Sequence, residues 1–252
     1  MITGATSGIG KATAHQFAEL GYHLILCGRR SDRLATLKNK LIQEHGIKVC
    51  CLTFDLRSEE KTLAALRSLS EEWSQVEILV NNAGLAMGLA EFHESDINHW
   101  NTMIDTNIKG LLTLTRTVSP QMVANKRGHI INVCSTAGHE VYPKGHVYCA
   151  TKHAVDAITK GIRLDLHKYN IKVSQVSPGH VEDTEFAEVR FEGDKEKAKI
   201  YDDFNPLKSS DVAELIVFIA TRPSNVNIQD ILVMGTQQAN STYIDRSGRI
   251  HD

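Results

Sequence analysis

Short apolar runs alternate along this chain with segments of helical length, and this alternation is the feature that most constrains the fold. Seven apolar runs are predicted as strands: residues 1–3, 22–27, 48–54, 77–80, 129–134, 172–176 and 231–234. Six amphipathic segments are predicted as helices: residues 10–20, 32–45, 59–73, 100–125, 148–169 and 210–221. Strand–helix alternation of this kind predicts an α/β fold, with a parallel sheet covered by helices on both faces.

No linker or repeat interrupts the chain, so we predict a single domain over residues 1–252. Two segments of this domain depart from the regular alternation of strands and helices. Residues 182–208 mix apolar and charged side chains, and we predict a helical insertion over a ligand site, beyond the carboxyl ends of the strands. The first strand is shorter than the usual 5 to 6 or so residues. Either the start is truncated or this strand is unusually short.

Composition excludes several classes of protein. The formal net charge is −2 and no large basic block is present, which argues against nucleic acid and anionic membrane as partners. The apolar runs are far shorter than the roughly 18 residues of a membrane span, so we expect a cytoplasmic protein. Five cysteines lack CxxC spacing and twelve histidines lack HExxH spacing, so we predict no metal site.

A glycine-rich turn joins the first predicted strand to the first predicted helix. Its glycines allow a tight turn and let backbone N–H groups approach a phosphate at the helix N-terminus. Such a loop alone is weak evidence, since structural turns look similar, but its place between strand and helix strengthens the prediction of a nucleotide site. The predicted contacts are Gly4, Thr6, Ser7, Gly8, Ile9 and Gly10.

The end of the second predicted strand carries Arg29 and Arg30, where dinucleotide folds that prefer NAD place an acid. Guanidinium groups match a 2′-phosphate, so this pair favours NADP. The alternative is that both arginines only face solvent. Just past the third strand, Asp55 is placed to accept a hydrogen bond from the adenine amino group, with Leu56 beside it in the predicted cofactor site.

Tyr148 and Lys152 are four residues apart on a predicted helix, so their side chains share one face. A neighbouring ammonium stabilises a phenolate and lowers the pKa of the tyrosine, which makes it a usable acid or base. This spacing is common by chance and usually structural, so the pair gains its meaning from the motifs around it.

Taken together, the motifs resemble the short-chain dehydrogenase/reductase family. They are TGATSGIG (3–10), NNAG (81–84), Asn107, Ser135, YCATK (148–152) and SPG (177–179), in the order and spacing of that family. Each motif is weak separately, but jointly they are highly specific and cover the chain nearly end to end. The resemblance implies a Rossmann-like, doubly wound parallel sheet and an oxidoreductase that acts on CH–OH groups.

The resemblance also implies roles for individual residues. Tyr148 is the expected general acid/base, Lys152 lowers its pKa and binds the nicotinamide ribose, and Ser135 hydrogen-bonds the substrate oxygen. Asn107 is expected to bend its helix and to order a water that links Lys152 to solvent. The remaining expected cofactor contacts are Asn82, Ala83 and Gly84 at the adenine ribose, and Pro178, Gly179 and Val181 in the nicotinamide pocket.

One departure from the family pattern is informative. The stretch after the sixth strand, Pro-Gly-His-Val-Glu-Asp-Thr, is one residue longer than in most relatives, which leaves the role of Thr184 as a cofactor contact open. Residues 184–186, 189–194 and 226–228, with NNAGLAMG (81–88), resemble the NADP-dependent 3-hydroxy acid dehydrogenases, which include serine 3-dehydrogenase and allo-threonine dehydrogenase activities. Malonic semialdehyde and 3-hydroxypropionate belong to the same class of substrates.

A small 3-hydroxy acid needs a cation that holds its carboxylate. Arg190, in the insertion, is our candidate, because a guanidinium can bind a carboxylate with two hydrogen bonds. The alternative is an ordinary surface arginine, with Lys144 or His146 binding the carboxylate instead. Family members usually form homotetramers through the helices predicted here at 100–125 and 148–169.

Two other functions stay open at this point. One is a reductase of another small carbonyl or alcohol, because pocket residues are poorly specified by sequence. The other is a non-catalytic NADP-binding scaffold on a retired dehydrogenase fold. The presence of Ser135, Tyr148 and Lys152 argues against the scaffold, whereas the short first strand favours it. The particular hydroxy acid, its stereochemistry and the physiological direction are not specified by these motifs.

Overall fold

The computed structural model describes residues 1–249, which contain seven strands in one sheet. The strands are β1 (Ile2–Thr3), β2 (Leu24–Gly28), β3 (Val49–Thr53), β4 (Ile78–Asn81), β5 (Gly128–Val133), β6 (Ile171–Pro178) and β7 (Asp230–Val233). Their order in the sheet is β3-β2-β1-β4-β5-β6-β7, and every neighbouring pair is parallel. Each predicted strand is present, and its ends lie within two residues of the predicted ones.

Helices connect the strands and cover both faces of the sheet. They are α1 (Gly8–Glu19), α2 (Ser31–His45), α3 (Glu59–Arg67), α4 (Ile97–Ile104), α5 (Leu111–Asn125), α6 (His146–Leu166), α7 (Phe186–Arg190), α8 (Lys195–Ala198) and α9 (Ser209–Ala220). Short 3₁₀ turns lie at Glu71–Trp73, Phe92–Glu94, Thr136–Gly138 and His167–Tyr169. Within residues 1–249, no helix is long and apolar enough to cross a membrane.

The helix predicted at residues 100–125 is interrupted. A π-helical turn at Asp105–Gly110 joins α4 to α5, so the three pieces follow one another without a loop. Gly110 ends this turn, and a Cβ there would lie 2.5 Å from the Cγ of Leu56. The absence of a side chain at Gly110 therefore lets this helix lie close to the loop after β3.

The core lies on the two faces of the sheet. On one face, the strands contribute residues such as Leu26 and Ile131, which pack with side chains of α1, α2 and α9. On the other face, residues such as Leu79 and Ile130 pack against α5, with α3 and α6 beside it. Both clusters contain side chains with almost no exposed surface, as expected for a parallel sheet covered on both sides.

Chain order reverses at β1, which pairs with β2 on one side and β4 on the other. Ile2 of β1 lies opposite Leu26 of β2 and Val80 of β4. Although β1 has only two residues, it is an interior strand with a neighbour on each side. The crevice at such a switch point, beyond the carboxyl ends of the strands, is where open α/β sheets bind ligands.

The insertion predicted at 182–208 is helical in two short pieces, α7 and α8, and returns to the sheet beside its own start. Val181 and Leu207 form a parallel bridge, and the Glu182 N–H donates to the Leu207 carbonyl at 2.8 Å. Ala187, Tyr201 and Phe204 form a small buried cluster inside it. The insertion is therefore a packed element that stands over the crevice.

We expect glycine to be required where α1 meets the strand ends. A Cβ on Gly10 would collide with the carbonyl oxygen of Gly4 and lie 2.5 Å from Nδ2 of Asn82. Gly10→Ala should therefore lower the free energy of unfolding by about 1–3 kcal/mol, as overpacking does. Urea denaturation followed by circular dichroism measures this change.

Gly161→Ala is the matched control, because Gly161 also lies inside a helix but a Cβ there would have no atom within 4 Å. It should raise stability by about 0.5–1 kcal/mol, since alanine restricts the unfolded chain and favours the helix. Equal effects of the two substitutions would contradict the proposed close contact.

Candidate active site

A continuous cavity of about 500 Å³ lies over the carboxyl ends of the strands and beneath the insertion. One end is formed by the glycine loop and the ends of β2 and β3, and the other by the start of α6 and by α7. Every residue predicted to bind cofactor or substrate lies on its wall except Asn107 and Gly10, which support the wall from behind.

The glycine loop has the geometry of a phosphate cradle. Gly4 and Gly8 have φ of 65° and 50°, a region that glycine adopts readily and other residues rarely. Ser7 is the N-cap of α1, and among the described contacts its side chain makes no capping bond. The first N–H groups of α1 therefore stay available to an anion at the positive end of the helix dipole.

Asn82 and Ala83 fix this loop to β4. The Nδ2 of Asn82 donates to the Thr3 carbonyl at 2.9 Å, and the backbone N–H groups of both residues donate to the Thr3 hydroxyl at 3.0 and 2.9 Å. Gly84 follows them in the chain. A Cβ there would lie 3.3 Å from Oδ1 of Asn107, so glycine leaves room for the Asn107 side chain. These residues form the wall that the motif predicts.

Arg30 reaches the glycine loop from the end of β2. Its Nη2 donates to the hydroxyl of Thr6 at 2.8 Å and to that of Ser7 at 3.2 Å. The other terminal nitrogen of its guanidinium donates to Glu185 of the insertion at 2.9 Å. Arg29 is exposed and lies on the cavity wall. The two arginines thus stand at one end of the cavity, beside the phosphate cradle.

Asp55 and Leu56 lie on the same part of the wall. Arg57 donates to the Asp55 carboxylate from Nη2 at 2.6 Å, and this hydrogen bond holds the pKa of Asp55 below its ordinary value. The carboxylate is therefore ionised at neutral pH and keeps lone pairs for a further donor. Leu56 lies under Gly110 and gives this end of the cavity an apolar surface.

The end of β6 and the residues just after it contribute Pro178, Gly179 and Val181 to the wall. Gly179 faces Met234, whose Cγ would lie 2.9 Å from a Cβ at that position. Within this stretch, Asp183 has φ of 53° and its carboxylate accepts a hydrogen bond from the Ser209 N–H at 2.9 Å. Thr184 lies against Gly8 and lines the cavity.

Ser135, Tyr148 and Lys152 lie together on the wall of the cavity, at the end away from the arginines. Ser135 follows β5 and caps the 3₁₀ turn Thr136–Gly138. Tyr148 lies in the first turn of α6, and Lys152 lies one turn later, with its Nζ 5.9 Å from the centre of the tyrosine ring. The Lys152 ammonium donates to the Val133 carbonyl at 2.9 Å.

Asn107 lies behind this group, in the π-helical turn between α4 and α5. Its Nδ2 donates to the Leu85 carbonyl at 2.8 Å and to the Thr151 hydroxyl at 3.1 Å, and its Oδ1 accepts from the Leu85 N–H at 2.9 Å. The amide therefore ties the loop after β4 to the helix that carries Tyr148 and Lys152.

Burial dominates the protonation of the central pair. It raises the pKa of Tyr148 well above the ordinary value of a phenol, although the hydrogen bond with Ser135 and the charge of Arg190 act in the opposite direction. Burial also lowers the pKa of Lys152. The sequence-based expectation of a lowered pKa for Tyr148 is not met in this arrangement, because burial outweighs the groups that act in the opposite direction. Tyr148 is therefore protonated at neutral pH.

Arg190 is buried, with 7% of its surface exposed, so it is not a surface arginine. Its guanidinium carbon lies 5.5 Å from the ring centres of both Tyr142 and Tyr148, and it donates a hydrogen bond to the Tyr142 hydroxyl. Its Nε has no partner among the described residues. Lys144 and His146, the alternative cations, do not lie on the main cavity wall.

The residues on this wall that were not identified from the sequence include Tyr142, His180 and Tyr201. Burial lowers the pKa of His180 to about 4, so its imidazole is neutral, and its ring lies 5.2 Å from that of Tyr201. No spacing links these residues to the motifs, although Tyr142 and His180 each lie within a few residues of one.

Away from the cavity, His15, Glu44 and His45 bring their potential ligand atoms within 4.8 Å of one another. Burial and the nearby Lys40 lower the pKa of His15. A lysine beside the group disfavours a second cation, and we assign no metal to it.

The described residues fit NADP at the arginine end. The cradle with positive φ, the free N–H groups of α1 and the Arg30 guanidinium match a pyrophosphate and a 2′-phosphate. Ser135, Tyr148 and Lys152 lie at the other end of the same cavity, where a nicotinamide would be held beside them.

Comparisons with known proteins agree with this geometry. A relative from Salmonella typhi, the NADP-dependent 3-hydroxy acid dehydrogenase YdfG, is 43% identical over 240 residues, which are 95% of each chain. Sulfoacetaldehyde reductase 2 from Chromohalobacter salexigens is 43% identical over 249 residues, which are 98% of each chain.

Among solved structures, the closed form of serine dehydrogenase complexed with NADP⁺ superimposes with a TM-score of 0.90 at 41% identity, covering 95% of this chain and 96% of that one. A family model described as short chain dehydrogenase matches residues 1–195. The chain therefore belongs to the short-chain dehydrogenase family.

Proposed function

We propose that this chain transfers hydride between NADP(H) and the C3 carbon of a small 3-hydroxy acid, such as serine, allo-threonine or 3-hydroxypropionate, or of the corresponding 3-oxo acid. The observation that carries the proposal is the buried Arg190 beside Tyr148 in one cavity. A guanidinium there can hold the substrate's carboxylate while the tyrosine acts on its hydroxyl. The 43% identity to a relative with this activity in its name supports the assignment.

The cofactor is NADP(H), and when bound its nicotinamide gives or takes the hydride. In the reductive direction, the Tyr148 hydroxyl donates its proton to the substrate oxygen as negative charge develops there. Ser135 donates a second hydrogen bond to the same oxygen. Donors that are already oriented where charge grows lower the barrier because they need no reorganisation.

Lys152 and Asn107 support this proton transfer from behind. The Lys152 ammonium lies close enough to the tyrosine ring to favour the phenolate left after proton donation. Asn107 holds the backbone around it through Leu85 and Thr151, and we propose that it also orders a water that returns the proton from solvent. The rings of Phe186 and Tyr148 lie 5.6 Å apart, so the insertion keeps bulk water from the reacting atoms.

The charges on the cavity wall favour an anion without an amino group. The carboxylates among the described lining residues are Asp55 and Glu185, and both are paired with arginines at the opposite end from Tyr148. An ammonium group on the substrate would find no carboxylate beside Arg190. We therefore expect 3-hydroxypropionate to have a higher kcat/KM than serine.

A small sulfonated aldehyde is the second candidate substrate. A guanidinium binds a sulfonate as readily as a carboxylate, and one relative with 43% identity is named a sulfoacetaldehyde reductase. NADPH consumption with malonic semialdehyde and with sulfoacetaldehyde distinguishes the two. A tenfold or larger preference for the sulfonate would replace our assignment, and turnover of neither anion would favour an uncharged carbonyl substrate.

Replacing Tyr148 tests the chemistry. Tyr148→Phe removes the transferred proton and should lower kcat by about 10²- to 10⁴-fold, the usual contribution of general acid–base catalysis. NADPH binding, measured by its fluorescence, should change little because the ring remains. Tyr169→Phe, in a 3₁₀ turn remote from the cavity, is the control. A variant that retains the rate of the unmodified enzyme would rule out Tyr148 as the acid.

The raised pKa of Tyr148 predicts different pH profiles for the two directions. Oxidation requires the phenolate, so kcat/KM for the hydroxy acid should rise by nearly tenfold per pH unit between about pH 6 and 9. Reduction requires the phenol, which persists over that range, so kcat/KM for the aldehyde should stay nearly flat. Steady-state rates in both directions measure this contrast, and an oxidation plateau below neutrality would contradict it.

Replacing Arg190 tests substrate recognition. Arg190→Gln should raise KM for 3-hydroxypropionate by about 10- to 100-fold, as expected for loss of a charge-assisted hydrogen-bonded pair. The rate with the uncharged 1-propanol should change by much less, which serves as the internal control. NADPH binding and thermal unfolding establish that the variant is folded. An equal loss with both substrates would mean that Arg190 supports the cavity wall and does not bind the carboxylate.

A further inference from the structure

Glu185, the residue just before α7, is bound to Arg30, one of the two arginines predicted to bind the cofactor's 2′-phosphate. Its carboxylate lies 2.8 Å from Nη1 of Arg30, and it also accepts a hydrogen bond from Arg33. Arg33 follows Arg30 in the first turn of α2. Two guanidiniums therefore converge on one carboxylate at the arginine end of the cavity.

Both terminal nitrogens of the Arg30 guanidinium are engaged in this arrangement. One terminal nitrogen of its guanidinium bonds to Glu185, and the other bonds to the hydroxyls of Thr6 and Ser7. Desolvation would raise the pKa of Glu185, but the hydrogen bonds from Arg33 and Arg30 outweigh it and the pKa is lowered. The carboxylate is thus negatively charged at neutral pH.

We propose that Glu185 is an internal competitor for the 2′-phosphate, which weakens binding of NADP(H) and leaves binding of NAD(H) nearly unchanged. A carboxylate and a phosphate monoester use the same guanidinium donors, so the phosphate must displace Glu185 from Arg30 or share that arginine with it. If they share it, a carboxylate and a dianion lie a few ångströms apart and repel each other. Either route lowers the affinity for the phosphorylated cofactor.

The position of Glu185 gives this competition a consequence for the reaction. The next residue, Phe186, packs edge-to-face on the ring of Tyr148, and Arg190 lies one turn further on. Release of Glu185 from Arg30 therefore acts on the same short segment that covers the catalytic tyrosine. This part of the inference rests on the proposed function, whereas the competition itself concerns only cofactor binding.

The experiment is a calorimetric titration of Glu185→Gln with 2′,5′-ADP and with 5′-ADP, which differ only in the 2′-phosphate. The amide keeps the shape of the side chain and removes its charge. We expect the dissociation constant for 2′,5′-ADP to fall about tenfold at low salt, and the one for 5′-ADP to change less than twofold. The gain should shrink in 0.3 M salt or so, because exposed charges are screened.

Glu192→Gln is the matched control, since it removes the same charge from the same insertion but lies beside His99, away from Arg30. It should leave both dissociation constants unchanged. When Arg30 is also replaced by glutamine, Glu185→Gln should lower the dissociation constant for 2′,5′-ADP much less, because the arginine shared by Glu185 and the phosphate is gone. Thermal unfolding confirms that each variant is folded.

Weaker binding of 2′,5′-ADP by Glu185→Gln would overturn the proposal, since it would make Glu185 a clasp that holds the arginines in place for the phosphate. An unchanged dissociation constant for 2′,5′-ADP, or an equal fall in the dissociation constants for 2′,5′-ADP and 5′-ADP, would overturn the proposal as well. These titrations need no substrate, so they test the competition even if no 3-hydroxy acid is turned over.

Discussion

The close packing of α1 against the ends of β1 and β4 is the constraint on which the rest of this structure depends. Gly10 touches the carbonyl of Gly4, and Asn82 bonds to the Thr3 carbonyl in the same place. This contact keeps the first turn of α1 at the switch point of the sheet, where its N–H groups and the positive φ of the glycines create a place for phosphate. A two-residue strand suffices at the centre because neighbours hold it on both sides.

The same arrangement fixes the catalytic end of the cavity. β4 and β5 are neighbours in the sheet, so the loops that follow them lie side by side. The first loop carries Leu85, which is hydrogen-bonded to Asn107, and the second carries Ser135. Tyr148 and Lys152 arrive there from α6, one turn apart. Burial raises the pKa of Tyr148, so its phenol stays protonated at neutral pH. The buried Lys152 ammonium donates to the Val133 carbonyl. In the proposed reaction, Tyr148 is therefore ready to give a proton, and the reverse direction depends on removing that proton.

Most of the fold could be predicted from the sequence, because each short apolar run corresponds to one strand and each helical segment contains at least one helix. The π-helical turn at Asp105–Gly110 could not be predicted from the apolar pattern, and only the family resemblance, through Asn107, pointed to an irregularity there. Among site residues, Ser135, Tyr148 and Lys152 were found because their motifs have fixed spacing. Tyr142 and Tyr201 were missed because their places depend on how the insertion and loops pack, which no local pattern encodes. The lowered tyrosine pKa was expected from Lys152 alone, whereas burial, a property of the whole fold, decides it.

The insertion connects the two ends of the cavity through a few consecutive residues. Glu185 bonds to Arg30 at one end, while Phe186 and Arg190 pack over Tyr148 at the other. A small segment with little buried core of its own must be positioned by such contacts, since its cluster around Phe204 is small. The contacts of Arg30 at the arginine end of the cavity and the covering of Tyr148 at the other end therefore both depend on the insertion. A change in either contact is expected to affect both cofactor affinity and the covering of the reacting atoms.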